Sequence, residues 1–236
     1  MAGSLQTQIA ERLTQIRQTL PESVKLIAVT KQVSAEVMRA AYAAGVRDFG
    51  ESRIQETLDK QAQLADLPNI TWHFIGHLQS NKAAKALELF QWIHSVDSLK
   101  LAQRLNQIAA APIAADLSQK PMLCLQVKVL PDPTKYGWTI PELLHDLPAL
   151  DQCTHLNIVG LMAIPPYGID PSETLGVFTR TRDLAAQIQQ DEPKIKHLKM
   201  QELSMGMSDD YRLAVAAGAT MIRLGRTLFG DRPEIF

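Results

Sequence analysis

Eight short apolar runs, each set off from the next by a stretch of helical period, constrain this chain more than any other feature. The runs fall at 26–31, 46–50, 70–75, 92–96, 122–130, 156–164, 197–203 and 221–224. Several are nearly continuous, as expected of strands covered on both faces. Helical patterns lie between them at 34–44, 54–64, 98–108, 140–150, 172–190 and 209–217, with an alanine-rich one reaching residue 89. Ser34 and Asp97-Ser98 stand at cap positions, and Gly45 and Gly218 at stops. One further helix precedes the first strand. It carries Leu5, Ile9, Leu13, Ile16 and Leu20 on one face and ends at Pro21. Strict alternation of strand and helix implies parallel strands joined by right-handed crossovers. Eight such units in 236 residues match a closed (β/α)8 barrel, whose usual size is about 250 residues. The alternative is a doubly wound open sheet, but no Gly-x-Gly-x-x-Gly follows any strand. The expected architecture is therefore α/β: a single TIM-type (β/α)8 barrel domain over residues 1–236 with an extra N-terminal helix.

Composition narrows the function. With 24 basic and 25 acidic side chains and no basic block, nothing favours a nucleic-acid or membrane-surface partner. Two cysteines do not make a disulfide framework, and residues 1–20 lack a charged-then-apolar leader pattern. No apolar run reaches membrane-spanning length. The expectation is a cytoplasmic protein and a monomer. The segment 111–121 is expected to be a polar connector.

In a barrel, function collects where the strands end at the C-terminal rim. The first run, Leu26-Ile27-Ala28-Val29-Thr30-Lys31, delivers a lysine to that rim. Desolvation at such a lip would favour the neutral amine, which is the form that condenses with a carbonyl. Alone, this does not separate a Schiff-base lysine from an ordinary surface lysine. After the seventh run, Ser204-Met205-Gly206-Met207-Ser208 leads into a helix start suited to an oxyanion, and Gly225-Arg226-Thr227 follows the eighth. Either loop could instead be a plain cap or turn, but a barrel makes them neighbours. Arg223 falls inside the last strand at an axis-facing position, where its charge needs either a carboxylate or a ligand. An amine-forming lysine, a phosphate cradle and an arginine between them describe a pocket for pyridoxal 5′-phosphate.

Longer motifs carry a resemblance. Ala28-Val29-Thr30-Lys31, the block 49–56, the block 72–82, Gly160-Leu161-Met162, the block 204–211 and the block 222–230 are similar to the signature segments of the pyridoxal phosphate homeostasis protein family. The blocks run from 28 to 230. The resemblance implies a barrel like the N-terminal domain of alanine racemase with the cofactor on Lys31. It further implies that Met205, Ser208, Gly225, Arg226 and Thr227 form the phosphate side and that Arg223 faces the ring nitrogen. At Ser52 this chain departs from the family, which reads Asn there, and a hydroxyl reaches less far than an amide. Ser52 is kept among the expected cofactor contacts.

A racemase needs an acid and a base on opposite faces of its substrate carbanion. Lys31 supplies one. The racemases draw the other from a second, all-β domain, for which the six residues after Gly230 leave no room. An arginine at the ring nitrogen also weakens the cofactor as an electron sink. The expected function is reversible holding of the cofactor in vitamin B6 and amino/keto acid homeostasis, with pyridoxal phosphate-dependent apoenzymes as candidate partners. A weakly active racemase-like enzyme, and a barrel enzyme acting on a phosphorylated metabolite, are the alternatives. His73 and His77 have the spacing of a helical metal pair but lie along a strand and its exit, where they do not share a face. No metal is expected. Met162 is expected to fill the barrel, and His94 has no partner by spacing.

Overall fold

The computed structural model describes residues 2–111, 120–190 and 195–230. Nine strands form one parallel sheet: β1 Lys25–Val29, β2 Asp48–Glu51, β3 Thr71–Phe74, β4 Trp92–Val96, β5 Met122–Lys128, β6 Trp138–Thr139, β7 Asn157–Ala163, β8 Glu202–Ser204 and β9 Met221–Leu224. Eight of them close a ring in the order β1-β2-β3-β4-β5-β7-β8-β9, because β4 pairs with β5 and β9 returns to β1. The two-residue β6 hangs on the end of β5. This is the expected (β/α)8 barrel. Around it run α1 Ala2–Arg17, α2 Ala35–Ala43, α3 Ile54–Gln63, α4 Ala83–Leu89, α5 Leu99–Ala109, α6 Ile140–Asp151, α7 Pro171–Gln190, α8 Tyr211–Ala216 and α9 Arg226–Phe229.

Local chemistry explains where these elements begin. Ser34 caps α2 by accepting from Val37 N–H, and Ser98 caps α5 by accepting from Leu101 N–H. Thr139 and Glu142 close a capping box on α6. The apolar face of α1 buries Ile9, Leu13 and Ile16 beside the barrel. The large core lies between sheet and helices. A smaller one, made of Ile27, Trp92, Cys124, Val159, Met162 and Met221 from five strands, fills the lumen. Met162 is thus barrel filling, as expected.

Some boundaries differ from the sequence reading. The seventh run shortens to β8, although Lys199 and Gln201 N–H groups already bond to Ile158 and Val159 carbonyls. At Gly160 the two strands come so close that a Cβ would lie 1.9 Å from Glu202 O. The helix expected from 209 begins only at Tyr211, and the turn expected at 225–227 opens α9. Of the connector expected at 111–121, residues 112–119 lie outside the described residues.

Candidate functional site

The seam where β1 meets β9 organises the rim. Ile27 pairs with Arg223 and Ala28 with Leu224, so Val29 stands level with Gly225, whose Cβ position would lie 3.7 Å from Val29 Cβ. Ile27 and Met221 face the lumen, and alternation puts Val29 and Arg223 on that same face. Thr30 N–H still bonds Gly50 O at 2.9 Å, so the ladder reaches Thr30, and Lys31 opens the turn that follows. Lys31 therefore stands at the rim, two residues past the Gly225 level.

Lys31 itself is exposed. The desolvation expected at the lip is thus not supplied by the protein's own side chains, because the lysine stands past the end of β1, where the rim opens. Its turn, in contrast, is tightly held from beneath. Val33 N–H bonds Thr30 O at 2.8 Å, and Gln32 takes φ 63°, a left-handed conformation unusual for a side chain of that kind. Glu56 Oε1 accepts from Gln32 N–H at 2.6 Å. The buried Lys60 ammonium joins everything: it donates to Thr30 O (2.7 Å), Glu51 Oε1 (2.8 Å) and Glu56 Oε1 (2.6 Å). Thr30 Oγ1 donates to Glu51 Oε1 at 2.6 Å. Burial pushes the Glu51 carboxyl above its usual range against the pull of Lys60, and its buried Oε2 has no hydrogen-bond partner among the described residues. The helical pattern at 54–64 carries no sign of this ion pair.

Below the Gly225 level, Arg223 is 4% exposed. Among the described residues no carboxylate forms an ion pair with it, so the salt bridge considered from sequence is not what holds it. Nη1 donates to Ser204 O and to Ser204 Oγ, both at 2.6 Å, and Nη2 to Ala163 O at 3.1 Å. Burial pulls its pKa down to about 10, with the Asp210 charge acting the other way. A guanidinium has five N–H donors. These bonds use three and leave Nε–H and one Nη2–H for a ligand.

The two phosphate-type loops do meet. Ser208 was expected either to cap its helix or to serve an anion. It does not cap α8, whose N-cap is Asp210. Instead its Oγ accepts from Thr227 N–H at 3.3 Å, and Thr227 Oγ1 lies 3.5 Å from Ser208 O. Arg226 is ion-paired with Asp209 across the same two loops. Gly206 makes the approach possible. It sits at φ +95°, a Cβ there would lie 2.6 Å from Ala214 Cβ, and its carbonyl accepts from Arg223 N–H at 2.9 Å. Met205 is fully buried, so its side chain belongs to the core, and its N–H is bonded to Met221 O at 3.1 Å. Ser52 is half-buried after β2, with Arg53 and His77 on the wall of a separate rim hollow. His77 stacks on Tyr136 at 3.6 Å between ring centroids and bonds Asp97.

A parallel barrel with a lysine just past its first strand, an arginine in the neighbouring last strand, and a bridged loop pair at the last two βα turns belongs to the class typified by the N-terminal domain of alanine racemase. That family matches residues 6–233. Within it, the chain belongs to the pyridoxal phosphate homeostasis proteins. It is 51% identical to the protein of that name from Synechocystis over 93% of this chain and 96% of the relative, and 35% identical to the one from Escherichia coli over 95% and 97%. PipY of Synechococcus elongatus, solved with PLP bound, superposes with a TM-score of 0.86 at 54% identity, over 94% of this chain and all of that one. An alanine racemase from Clostridium difficile shares the fold, with a TM-score of 0.67 at 16% identity. The chain spans 58% of that structure's length.

Proposed function

We propose that this single barrel domain holds pyridoxal 5′-phosphate through a C=N bond to Lys31 and serves in vitamin B6 and amino/keto acid homeostasis without efficient turnover. The observation that supports the proposal is the β1–β9 seam, where Arg223 pairs with Ile27 and Lys31 follows the end of β1, in a chain 54% identical to a barrel solved with PLP bound.

When bound, the cofactor supplies an aldehyde that traps amines and a ring that can withdraw electrons. Lys31 offers the amine to that aldehyde. The Ser208–Thr227 bridge and the backbone at the start of α9 hold the phosphate, with Gly225 letting the chain come close. Arg223 can only donate, so it binds an unprotonated ring nitrogen and keeps a proton off it. That arrangement suits storage and release better than carbanion chemistry. Ser52, on the wall of the rim hollow with Arg53 and His77, is the remaining contact we propose, with the shorter reach noted above. We extend the proposal to a cytoplasmic monomer that passes the cofactor to apoenzymes. Two buried, unbridged cysteines agree with a reducing compartment.

The test is an absorption spectrum of the purified protein with added pyridoxal phosphate beside Lys31→Ala. A visible band in the parent that vanishes in the variant is expected. A parent without any band overturns the proposal and points to a phosphorylated metabolite. Conversion of L-alanine to D-alanine that disappears in Lys31→Ala would restore the racemase reading.

A further inference from the structure

A chain of buried polar side chains crosses the barrel lumen, and neither the sequence reading nor the cofactor site accounts for it. Arg223 Nη1 meets Ser204 Oγ at 2.6 Å, and Ser204 Oγ meets His94 Nδ1 at 2.7 Å. His94 Nε2 meets His73 Nδ1 at 2.9 Å, and His73 Nε2 meets Asp48 Oδ1 at 2.9 Å. His73, His94 and Ser204 have no exposed surface. Lys25 anchors the far end, 3.3 Å from Asp48 and over the Trp92 ring, which stacks on both imidazoles.

Donor chemistry fixes the direction of every bond. Arg223 has hydrogens and no lone pair to give, so Ser204 Oγ accepts from it. At the other end, burial would raise the Asp48 carboxyl, but the bond from His73 and the charge of Lys25 hold it below its ordinary range. Asp48 is then an acceptor only, and His73 Nε2 carries the hydrogen. A neutral His73 accepts at Nδ1, so His94 donates from Nε2 and accepts at Nδ1 from the Ser204 hydroxyl. All bonds run one way, from Arg223 to Asp48. The reverse polarity would leave His73 Nε2 facing a carboxylate with no hydrogen between them. Burial holds His94 well below its ordinary pKa, and the charges of Arg223 and Lys25 add to that; burial lowers His73 against the pull of Asp48. The consequence at the site is mechanical. With His94 accepting its hydrogen, Ser204 must show Arg223 a lone pair. Without His94, the hydroxyl is free to rotate and present its hydrogen to the guanidinium.

We infer that Ser204, His94, His73 and Asp48 are positioning residues whose one-way hydrogen-bond chain clamps Arg223, so that its remaining N–H groups face the ring nitrogen of the bound cofactor. The ligand half of this inference rests on the cofactor reading above; the chain itself does not.

Two measurements test it. The first is 15N-histidine NMR of the cofactor-free protein at neutral pH, with His73→Gln and His94→Gln giving the assignments. Both rings are expected as neutral Nε2–H tautomers. An Nδ1–H tautomer or a charged ring at either position overturns the chain. The second is titration of pyridoxal phosphate into variants, read by absorbance. Gln offers an oxygen and an N–H at a spacing similar to the imidazole nitrogens, so His94→Gln should bind within about threefold of the parent. His94→Leu should weaken binding roughly ten- to a hundredfold and move the absorption band, the range for losing hydrogen bonds to a charged group. If His94→Leu does not fold, Ser204→Ala is read in its place with the same expectation. A folded His94→Leu or Ser204→Ala with parental affinity and spectrum overturns the positioning role. A parent that binds no pyridoxal phosphate overturns the cofactor reading together with the ligand half, while the tautomers still decide the chain.

Discussion

Lys60 reads in the sequence as one more charge on a helix, yet the fold buries it and points its three hydrogens at Thr30 O, in the turn that presents Lys31, and at Glu51 and Glu56, the two carboxylates that bond that turn. Replacing it by Met would remove the hydrogens and leave Glu51 buried beside Glu56 with no counter-charge. Breaking one side of a buried pair costs about 3–5 kcal/mol, so Lys60→Met should lower stability by that order in urea unfolding. A loss below about 1 kcal/mol would mean that water reaches Glu51 when Lys60 is gone. Individual residues were unevenly legible. Arg223 could be placed by strand parity, because a charge inside an apolar run has only two faces to choose from. Lys60 and the His73–His94 pair could not be found that way. Their partners come from other elements, and their burial follows from how α3 and the lumen pack. Two histidines on neighbouring strands were the available signal, and spacing along the chain hid it.

Elements were more readable than their ends. Hydrophobic period located all eight barrel strands, and cap residues located the starts of α2 and α5. The strand β6 was missed because two residues carry no period, and α9 because four residues after a glycine look like a turn. The late start of α8 goes with a tight local turn that hydrophobic period does not register. Asp210 Oδ1 accepts from Met207 N–H at 2.6 Å, which tightens the turn and delays the helix to Tyr211. Gly206 opens that turn. Gly206→Ala would combine an unfavourable φ with a Cβ 2.6 Å from Ala214 Cβ, a cost of about 2–4 kcal/mol from strain and crowding together. Thermal unfolding should show the loss. Binding of pyridoxal phosphate should fall with it, since Ser208 is carried on the same loop; a stable variant with parental binding would show that the loop adapts.

For the molecule as a whole, the lumen histidines tie stability to pH. Both are held neutral in the fold with lowered pKa, whereas in the unfolded chain they titrate near 6.5. Above that pH their cost is nil. Below it the unfolded chain takes up protons that the fold refuses, and stability declines by as much as about 1.4 kcal/mol per pH unit for each histidine. Denaturant midpoints measured from pH 7.5 down to 5.5 should drop, and His94→Gln should roughly halve the slope; a flat profile would mean that the rings take up protons equally in the folded and unfolded chain, and a rise would mean that the fold holds them charged. The seam has a different reach. Lys31 and the segment 223–227 stand nearly two hundred residues apart in the chain, yet their strands are neighbours. Closing so large a loop is among the slow steps of a fold rich in distant pairings. During synthesis, a chain that has already emitted its lysine has nothing to set against it until β9 arrives. A ligand spanning the seam would then recognise only finished barrels, and once seated it would rivet first strand to last, raising the resistance of the ring to opening in step with its own concentration.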